Sequence, residues 1–234
     1  MKTLVLLGKK YLDEIVFTKS NVLGETNTCS FVVKKNGGMY NFEEINFENE
    51  WKINYKDSGV KKAYIINDKS LSSRTSYVYD QKGSSHEKKF LESFQNDTDW
   101  VHICYLDDYE CYEDLKNLSI PFSVDFCTTK NRESFMDIMK KAEIIFDSRE
   151  RKGLYEGLDM NTKLILHDEY GVEVIKNGKI ISKIDNIPTK GLSVNGAGDI
   201  FAGNFIKHYI STDAITASKK SMRETTNLLI KRKK

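Results

Sequence analysis

The sequence feature that most restricts the fold of this chain is a glycine-rich turn. It leads directly into an apolar helix pattern. The turn is Asn195-Gly196-Ala197-Gly198-Asp199, and the sequence after it, IFAGNFIKHYI, predicts a helix that packs through its Ile and Phe side chains. A turn with so few side chains leaves backbone N–H groups pointing outward at the start of the helix. Those groups and the helix dipole together favour an anion.

Asp199 stands in this positive environment, and two explanations for it are open. It can be a base that takes a proton from a hydroxyl while the turn amides hold a transferring phosphoryl group. It can equally be an ordinary acidic residue in the first turn of a helix, where the dipole also favours it.

Length, charge and cysteine content narrow the class of protein. The 234 residues suffice for one α/β domain with a sizeable core, or for one domain with a small appendage. A net charge of +2 gives no electrostatic case for nucleic acid, and the basic run Lys231–Lys234 is expected to be a solvated helix end. The apolar run Leu4–Leu7 is too short for a membrane span and predicts a buried strand. Four cysteines without CxxC spacing indicate reduced thiols, so we expect a cytoplasmic protein without membrane or nucleic-acid partners.

Strand and helix patterns alternate from Val101 onward, which predicts a mostly parallel α/β sheet with helices on both faces. A hairpin is expected across Asn177-Gly178, a strong two-residue turn signal. The acidic pair Asp107-Asp108 follows a strand pattern and is expected to cap a helix rather than to bind metal. Helical patterns cover three segments, namely Lys88–Gln95, Tyr109–Leu118 and Asn131–Ala142.

The stretch GLSVNGAGDIFAGNFI resembles the C-terminal signature of the ribokinase-like (PfkB) carbohydrate kinases. In that family a Gly-Ala-Gly-Asp turn opens a helix. The resemblance implies that the amides of Gly196, Ala197 and Gly198 form an anion hole, with Asp199 as the catalytic base for ATP-dependent phosphorylation of a sugar hydroxyl.

Two N-terminal elements extend the resemblance. Asp13 follows the first strand pattern, and the resemblance implies that its two oxygens hold substrate hydroxyls. The alternative is a surface acid on a β-edge. The segment GGMYN is similar to the family's GG-x-x-N element, which implies that Gly37, Gly38 and Asn41 contact the sugar. An ordinary turn at Asn36-Gly37-Gly38 is the other interpretation.

Nucleotide and metal roles are implied for four further residues. Asp147 and Glu150 stand where the family has Asn-x-x-Glu, which implies that they organise Mg²⁺. A capping box with Asp147 at N-cap and Glu150 at N3 fits equally, and both roles could hold together. Gly171 is the only residue that survives from the family's Thr-x-Gly-x-x-Gly element, and with Asn195 it is assigned to ATP. His167 in the same segment is expected to be structural or solvent-facing.

The chain departs from the family after Asn41. Residues 42–68 replace a segment that in the family contains a long helix and another βα unit. We therefore expect a shortened ribokinase-like α/β domain over residues 1–234, with a doubly wound sheet and a small β-lid from segments near 11–35 and 72–82. The expected function is an ATP-dependent carbohydrate kinase, and the alternative is a reduced member that binds a sugar or nucleotide as a sensor or subunit. The lid is expected to form a homodimer through its apolar residues, Phe31, Val33, Tyr77 and Tyr79.

Overall fold

The computed structural model describes residues 1–18, 26–68, 73–79, 97–109, 112–188, 192 and 194–232. Within these ranges one ten-stranded sheet has the strand order β10-β9-β8-β7-β6-β5-β1-β3-β4, and β2 pairs with β1. The strands are β1 (Lys2–Thr18), β2 (Cys29–Gly38), β3 (Trp51–Asp68), β4 (Ser73–Tyr79), β5 (Trp100–Ile103), β6 (Phe122–Asp125), β7 (Ile144–Ser148), β8 (Lys163–Asp168), β9 (Gly171–Lys176) and β10 (Lys179–Asp185). The α-helices are α1 (Met136–Met139), α2 (Ala197–Tyr209) and α3 (Ala214–Arg232).

The body of the molecule is the parallel part of the sheet and its two apolar layers. Residues Leu4–Leu7 of β1 pair in parallel with β5, and β5 to β8 continue in parallel to the antiparallel pair β9 and β10. Because successive side chains of a strand point to opposite faces, Val5 and Leu7 join one core while Leu4 and Leu6 join the other. The second core contains the apolar face of α2. The predicted mostly parallel α/β sheet is thus confirmed.

A lid is formed where β1 and β3 continue beyond the body. Residues Lys10–Thr18 of β1 pair with β2 and with the second half of β3, which in turn pairs with β4. The register of β1 and β3 shifts between Gly8 and Lys10, and this shift marks the junction of body and lid. The strand predicted at the N-terminus is therefore much longer than its apolar run. Residues 19–25, 72 and 80–82 of the predicted lid lie outside the described ranges.

The two faces of the lid differ, because cross-strand partners share a face. Asp13 pairs with Lys35 and Ala63 on what we call the inner face, which also carries Phe31 and Val33. The alternate residues of the same strands form the outer face. This face holds a groove of about 660 Å³, and the residues that line the groove include Leu12, Glu14, Lys62 and Tyr64. Tyr77 and Tyr79 pair with Tyr64 and Lys62 and so belong to the outer face. Phe31 and Val33 therefore lie on the opposite face from Tyr77 and Tyr79, and the homodimer through the lid stays a prediction.

Short 3₁₀ helices replace several predicted α-helices. The pattern at Tyr109–Leu118 forms a 3₁₀ helix over Tyr112–Asn117, and Asn131–Ala142 forms a 3₁₀ helix, Arg132–Phe135, that continues into the single turn of α1. Lys88–Gln95 lies outside the described residues. Between β2 and β3 there are only two 3₁₀ helices, Met39–Glu44 and Glu48–Glu50, as expected for a shortened unit.

The predicted hairpin at Asn177-Gly178 and the predicted cap at Asp107-Asp108 have different outcomes. The hairpin at Asn177-Gly178 is confirmed, with φ of 52° and 68° at its two residues. Among the described residues, neither Asp107 nor Asp108 accepts a hydrogen bond that caps a helix. Asp107 accepts hydrogen bonds from the backbone N–H groups of Cys127 and Thr128, and Asp108 accepts from Lys61 and Tyr11 at the base of the lid. These two acids therefore connect the loop after β5 to the rest of the sheet. In the described part of the chain, none of the helices is both long and apolar enough to cross a membrane.

Candidate active site

The site is centred on the signature turn, residues Asn195–Asp199, which leads into α2. Gly196 precedes the first helical residue and has φ +72°. The N–H of Ala197 donates to the carbonyl of Val194 at 3.0 Å, and the N–H of Ile200 donates to the carbonyl of Gly196 at 3.0 Å. The Ala197 amide is therefore used within the turn in this conformation. The anion hole of Gly196, Ala197 and Gly198 stays a prediction.

Asp199 is buried in the first turn of α2, with 3% of its surface exposed. Its Oδ2 accepts hydrogen bonds from Asn41 Nδ2 at 2.8 Å and from Tyr105 Oη at 3.0 Å. A buried carboxylate at a helix start is favoured by the dipole and by these donors. Both bonds come from elements distant in sequence, so the acid is held by the tertiary fold rather than by local helix geometry alone.

Asp13 lies on the inner face of the lid and is 5% exposed. Asn195 Nδ2 donates to its Oδ2 at 3.2 Å, across the junction between lid and body. Asp13 is thus linked to the signature turn, four residues before Asp199. The structure brings together residues from both ends of the sequence, and Asn195, predicted for ATP, contacts the acid that was predicted for the acceptor.

Two glycines leave room for these polar side chains. A Cβ atom at Gly37 would lie 2.1 Å from Asp13 Oδ2, and one at Gly196 would lie 2.4 Å from Asn41 Cγ. Such separations are far inside ordinary van der Waals contact. Glycine is therefore required at both positions for Asp13 and Asn41 to keep their places.

Tyr105 was not predicted as a site residue. It follows β5 and has φ 66° and ψ 71°, a left-handed conformation that is rare for a non-glycine residue. Its ring meets that of Tyr11 edge-on at 5.7 Å, and its hydroxyl donates to Asp199. Burial, followed by the charges of Asp199 and Asp125, raises the pKa of Tyr105, so the hydroxyl stays a donor at neutral pH. The sequence signal that could have indicated it is a tyrosine directly after a buried parallel strand.

Two further titratable groups lie near the turn, the buried Asp125 and the partly buried His167. Asp125 ends β6, and burial, with the charges of Asp199 and Asp147, raises its pKa. His167 stacks on Phe201 of α2 with ring centroids 4.6 Å apart, and burial lowers its pKa to about 4. A Cβ at Gly198 would lie 3.3 Å from His167 Cε1. His167 is thus only partly buried, and its ring packs against Phe201 and lies close to Gly198 at the start of α2.

Asp147 and Glu150, which were predicted to organise magnesium, have different surroundings, and that role stays a prediction. Asp147 is fully buried, and its Oδ2 accepts from Arg132 Nη2 at 2.8 Å and from Tyr155 Oη at 2.6 Å. Its Oδ1 accepts from Arg151 Nε at 2.5 Å, while Glu150 is exposed. The capping box is wrong, because Ser148 is the N-cap and accepts from the N–H of Glu150. Among the described residues, no group of three or more His, Cys, Asp or Glu side chains is placed to hold a metal.

Gly171 begins β9 with φ +152°, and a Cβ there would lie 2.2 Å from the carbonyl oxygen of Ile184 on β10. Its N–H donates to Asp168 Oδ1 at 2.9 Å. The close approach of β10 and the positive φ therefore explain the glycine by themselves. The assignment of Gly171 to the nucleotide stays a prediction.

Comparison with known proteins places this geometry in a structural context. No protein-family model matches the sequence, and no curated protein matches it. The search of solved structures, in contrast, found chains of similar fold. Ribokinase from Cryptococcus neoformans in complex with ADP has a TM-score of 0.69 at 13% identity, over 96% of this chain and 93% of that chain. Ribokinase from Thermotoga maritima has a TM-score of 0.65 at 12% identity, over 98% of this chain and 92% of that chain.

A nucleoside kinase from Burkholderia thailandensis in complex with inosine is similar at a TM-score of 0.68 and 14% identity, over 95% of this chain and 89% of that chain. These proteins are sugar and nucleoside kinases that share one architecture. The chain has the ribokinase-like fold, and the expected fold class is confirmed over nearly its whole length.

Proposed function

We propose that this protein is a phosphotransferase that moves the γ-phosphoryl group of ATP to a hydroxyl of a sugar or sugar-like molecule. The observation that carries the proposal is the buried Asp199 at the start of α2, joined through hydrogen bonds to Asn41 and, by way of the turn, to Asp13. A buried acid at this position needs stabilising contacts, and a proton acceptor beside a helix N-terminus suits phosphoryl transfer.

In this proposal Asp199 takes the proton of the acceptor hydroxyl while the oxygen of that hydroxyl attacks the γ-phosphorus of ATP. ADP leaves, and the products are the phosphorylated acceptor and a proton that returns to solvent. Asp13 accepts hydrogen bonds from other acceptor hydroxyls, while Gly37 and Gly38 let the lid strand pass close to the ligand. Amides of Gly196 and Gly198 face the transferring group.

ATP binding is supported by the ADP complex of the similar Cryptococcus ribokinase. Magnesium would supply charge neutralisation on the nucleotide phosphates, where it commonly keeps several waters. Because Asp147 is engaged by Arg132 and Arg151, we assign it a structural role.

The test is ADP release from ATP and magnesium with a panel of sugars and nucleosides. With an accepted substrate, Asp199→Asn keeps the shape of the side chain and removes the base, so turnover should fall by roughly a hundredfold or more. Asp159→Asn is the matched control, because Asp159 is exposed. Near-normal turnover in Asp199→Asn would show that Asp199 is not the base.

The second candidate is a binding protein without turnover, such as a sensor or subunit. Two observations favour it: the Ala197 amide is used within the turn, and Asp147 is engaged in ion pairs. Calorimetry with ADP and with each sugar separates the candidates. Binding of either ligand without ADP release from any acceptor would support the binding protein and contradict the kinase.

A further inference from the structure

Arg232 lies in the last turn of α3 and reaches the candidate active site from outside it. Its Nε and Nη2 donate to Oε2 and Oε1 of Glu44 at 2.7 and 2.5 Å, and its Nη1 donates to the carbonyl oxygen of Asn195 at 2.7 Å. The sequence predicted a solvated basic helix end here. That expectation is wrong for Arg232, which is partly buried against the signature turn.

Two series of hydrogen bonds begin at this guanidinium. The first runs through Glu44 to Lys35 Nζ at 3.2 Å, from Lys35 Nζ to Asn41 Oδ1 at 3.1 Å, and from Asn41 Nδ2 to Asp199. It therefore joins the end of the chain to the proposed base.

The second series is shorter and ends at the proposed acceptor site. Arg232 holds the carbonyl of Asn195, and the side chain of the same residue donates to Asp13. Asn195, Asn41, Asp13 and Asp199 are each at most 5% exposed, so water has little access to replace these partners. The two series together fix both carboxylates that the proposed reaction uses.

The chemistry of the contact requires arginine. A planar guanidinium can bind both oxygens of one carboxylate and still direct a third N–H to a carbonyl, whereas an ammonium acts as a single point charge. Burial raises the pKa of Glu44, but the hydrogen bonds and charges of Arg232 and Lys35 outweigh it and lower the pKa overall. Glu44 is accordingly ionised at neutral pH and available for the bidentate pair.

We propose that Arg232 is a positioning residue, which sets Asn195 and Asn41 and through them the geometry of Asp13 and Asp199 toward the acceptor. Its kinetic consequence rests on the proposed kinase function. Its structural consequence, a fixed signature turn, does not.

The kinetic test compares Arg232→Ala, Arg232→Lys and Glu44→Gln with Lys231→Ala, the exposed neighbour on the same helix. Arg232→Ala should lower kcat/KM for the acceptor by about tenfold or more, through both KM and kcat, and change KM for ATP by less than about twofold. Arg232→Lys should recover only part of the loss, and Lys231→Ala should match the wild type. An unchanged acceptor kcat/KM in Arg232→Ala, or a fall in kcat alone that matches a lower folded fraction, would overturn the proposal.

The structural test is hydrogen exchange by mass spectrometry on the same variants without ligand. Peptides that cover residues 194–200 and 38–46 should exchange faster in Arg232→Ala, while β7 peptides stay as in the wild type. Unchanged exchange in both peptides contradicts the positioning role. Faster exchange in a protein whose wild type phosphorylates no acceptor supports positioning and overturns the kinase instead. If Arg232→Ala does not fold, Arg232→Lys and Glu44→Gln carry both measurements.

Discussion

Gly196→Ala tests how the signature turn holds the candidate base. The glycine has φ +72°, and a left-handed conformation costs an L-residue roughly 1–2 kcal/mol. The new Cβ would also lie 2.4 Å from Asn41 Cγ, where ordinary carbon contacts are about 3.5–4.0 Å. Asn41 must therefore move by about 1 Å, which breaks its 2.8 Å hydrogen bond to Asp199.

The expected loss of stability is the sum of these two effects. A hydrogen bond to a charged group contributes about 1.5–3 kcal/mol, so the free energy of unfolding should fall by about 2.5–5 kcal/mol in total. Turnover should fall by about a hundredfold, because displacement of catalytic groups by 1 Å has costs of that order.

Gly178→Ala is the matched control. Gly178 has φ +68°, and no atom lies within 4 Å of the Cβ that the substitution would add. It should therefore lose only the backbone cost of roughly 1–2 kcal/mol and keep full activity. Urea unfolding measures the first quantity, and ADP release measures the second. Equal stability losses in the two variants, or normal turnover in Gly196→Ala, would refute the packing of Gly196 against Asn41.

Three further predictions concern the acceptor, the lid and the response to acid. Asp13→Ala should raise KM for the acceptor far more than KM for ATP, while Glu14→Ala on the outer face should change neither; equal effects on both substrates would contradict the acceptor role. Light scattering should find a dimer larger than the 27.0 kDa chain, which Tyr77→Asp on the outer face separates and Phe31→Asp on the inner face does not; a dimer that survives Tyr77→Asp would place the interface elsewhere. Burial lowers the pKa of His102 to about 3 and that of His167 to about 4, so below pH 6.5 only the unfolded chain protonates them. The free energy of unfolding should then fall toward pH 4 by about 1.4 kcal/mol per pH unit for each histidine. Urea unfolding at several pH values measures this dependence on pH, and the same dependence in a folded His167→Gln variant would disprove the prediction.

The central parts of the site could be predicted because they are local in sequence. The signature turn, Asp199 and the pair Gly37-Gly38 lie in short motifs whose backbone needs are visible in the residue types. The β9–β10 hairpin is of the same kind, since Asn177-Gly178 sets its own turn. Such features depend on a few neighbouring residues.

The contacts that complete the site could not be predicted, because they join residues far apart in the chain. Asn195 and Asp13 are separated by 182 positions, and Arg232 and Glu44 by 188. The cap predicted at Asp147 is wrong for a related reason. Its pattern with Glu150 suits a cap, but the fold places Arg132 beside it and turns the acid into a buried ion pair.

The length of β1 was also hidden from a local analysis. Beyond Leu7 the strand loses its body partner β5 and gains β2, and its outer face becomes partly exposed while its inner-face residues stay buried. Charged residues then interrupt the apolar ones, so the continuous apolar run ends although the strand does not.

The continuity of β1 and β3 across the junction has a consequence for protein engineering. The same β1 backbone that anchors Leu4–Leu7 in the centre of the molecule also presents Asp13, about 20 Å further along an extended strand. In the proposed kinase, acceptor preference therefore cannot be exchanged by transplanting the lid as a cassette, because every cut would sever a central strand. Changes of specificity would have to be made in place, side chain by side chain, on strands whose first halves stay untouched.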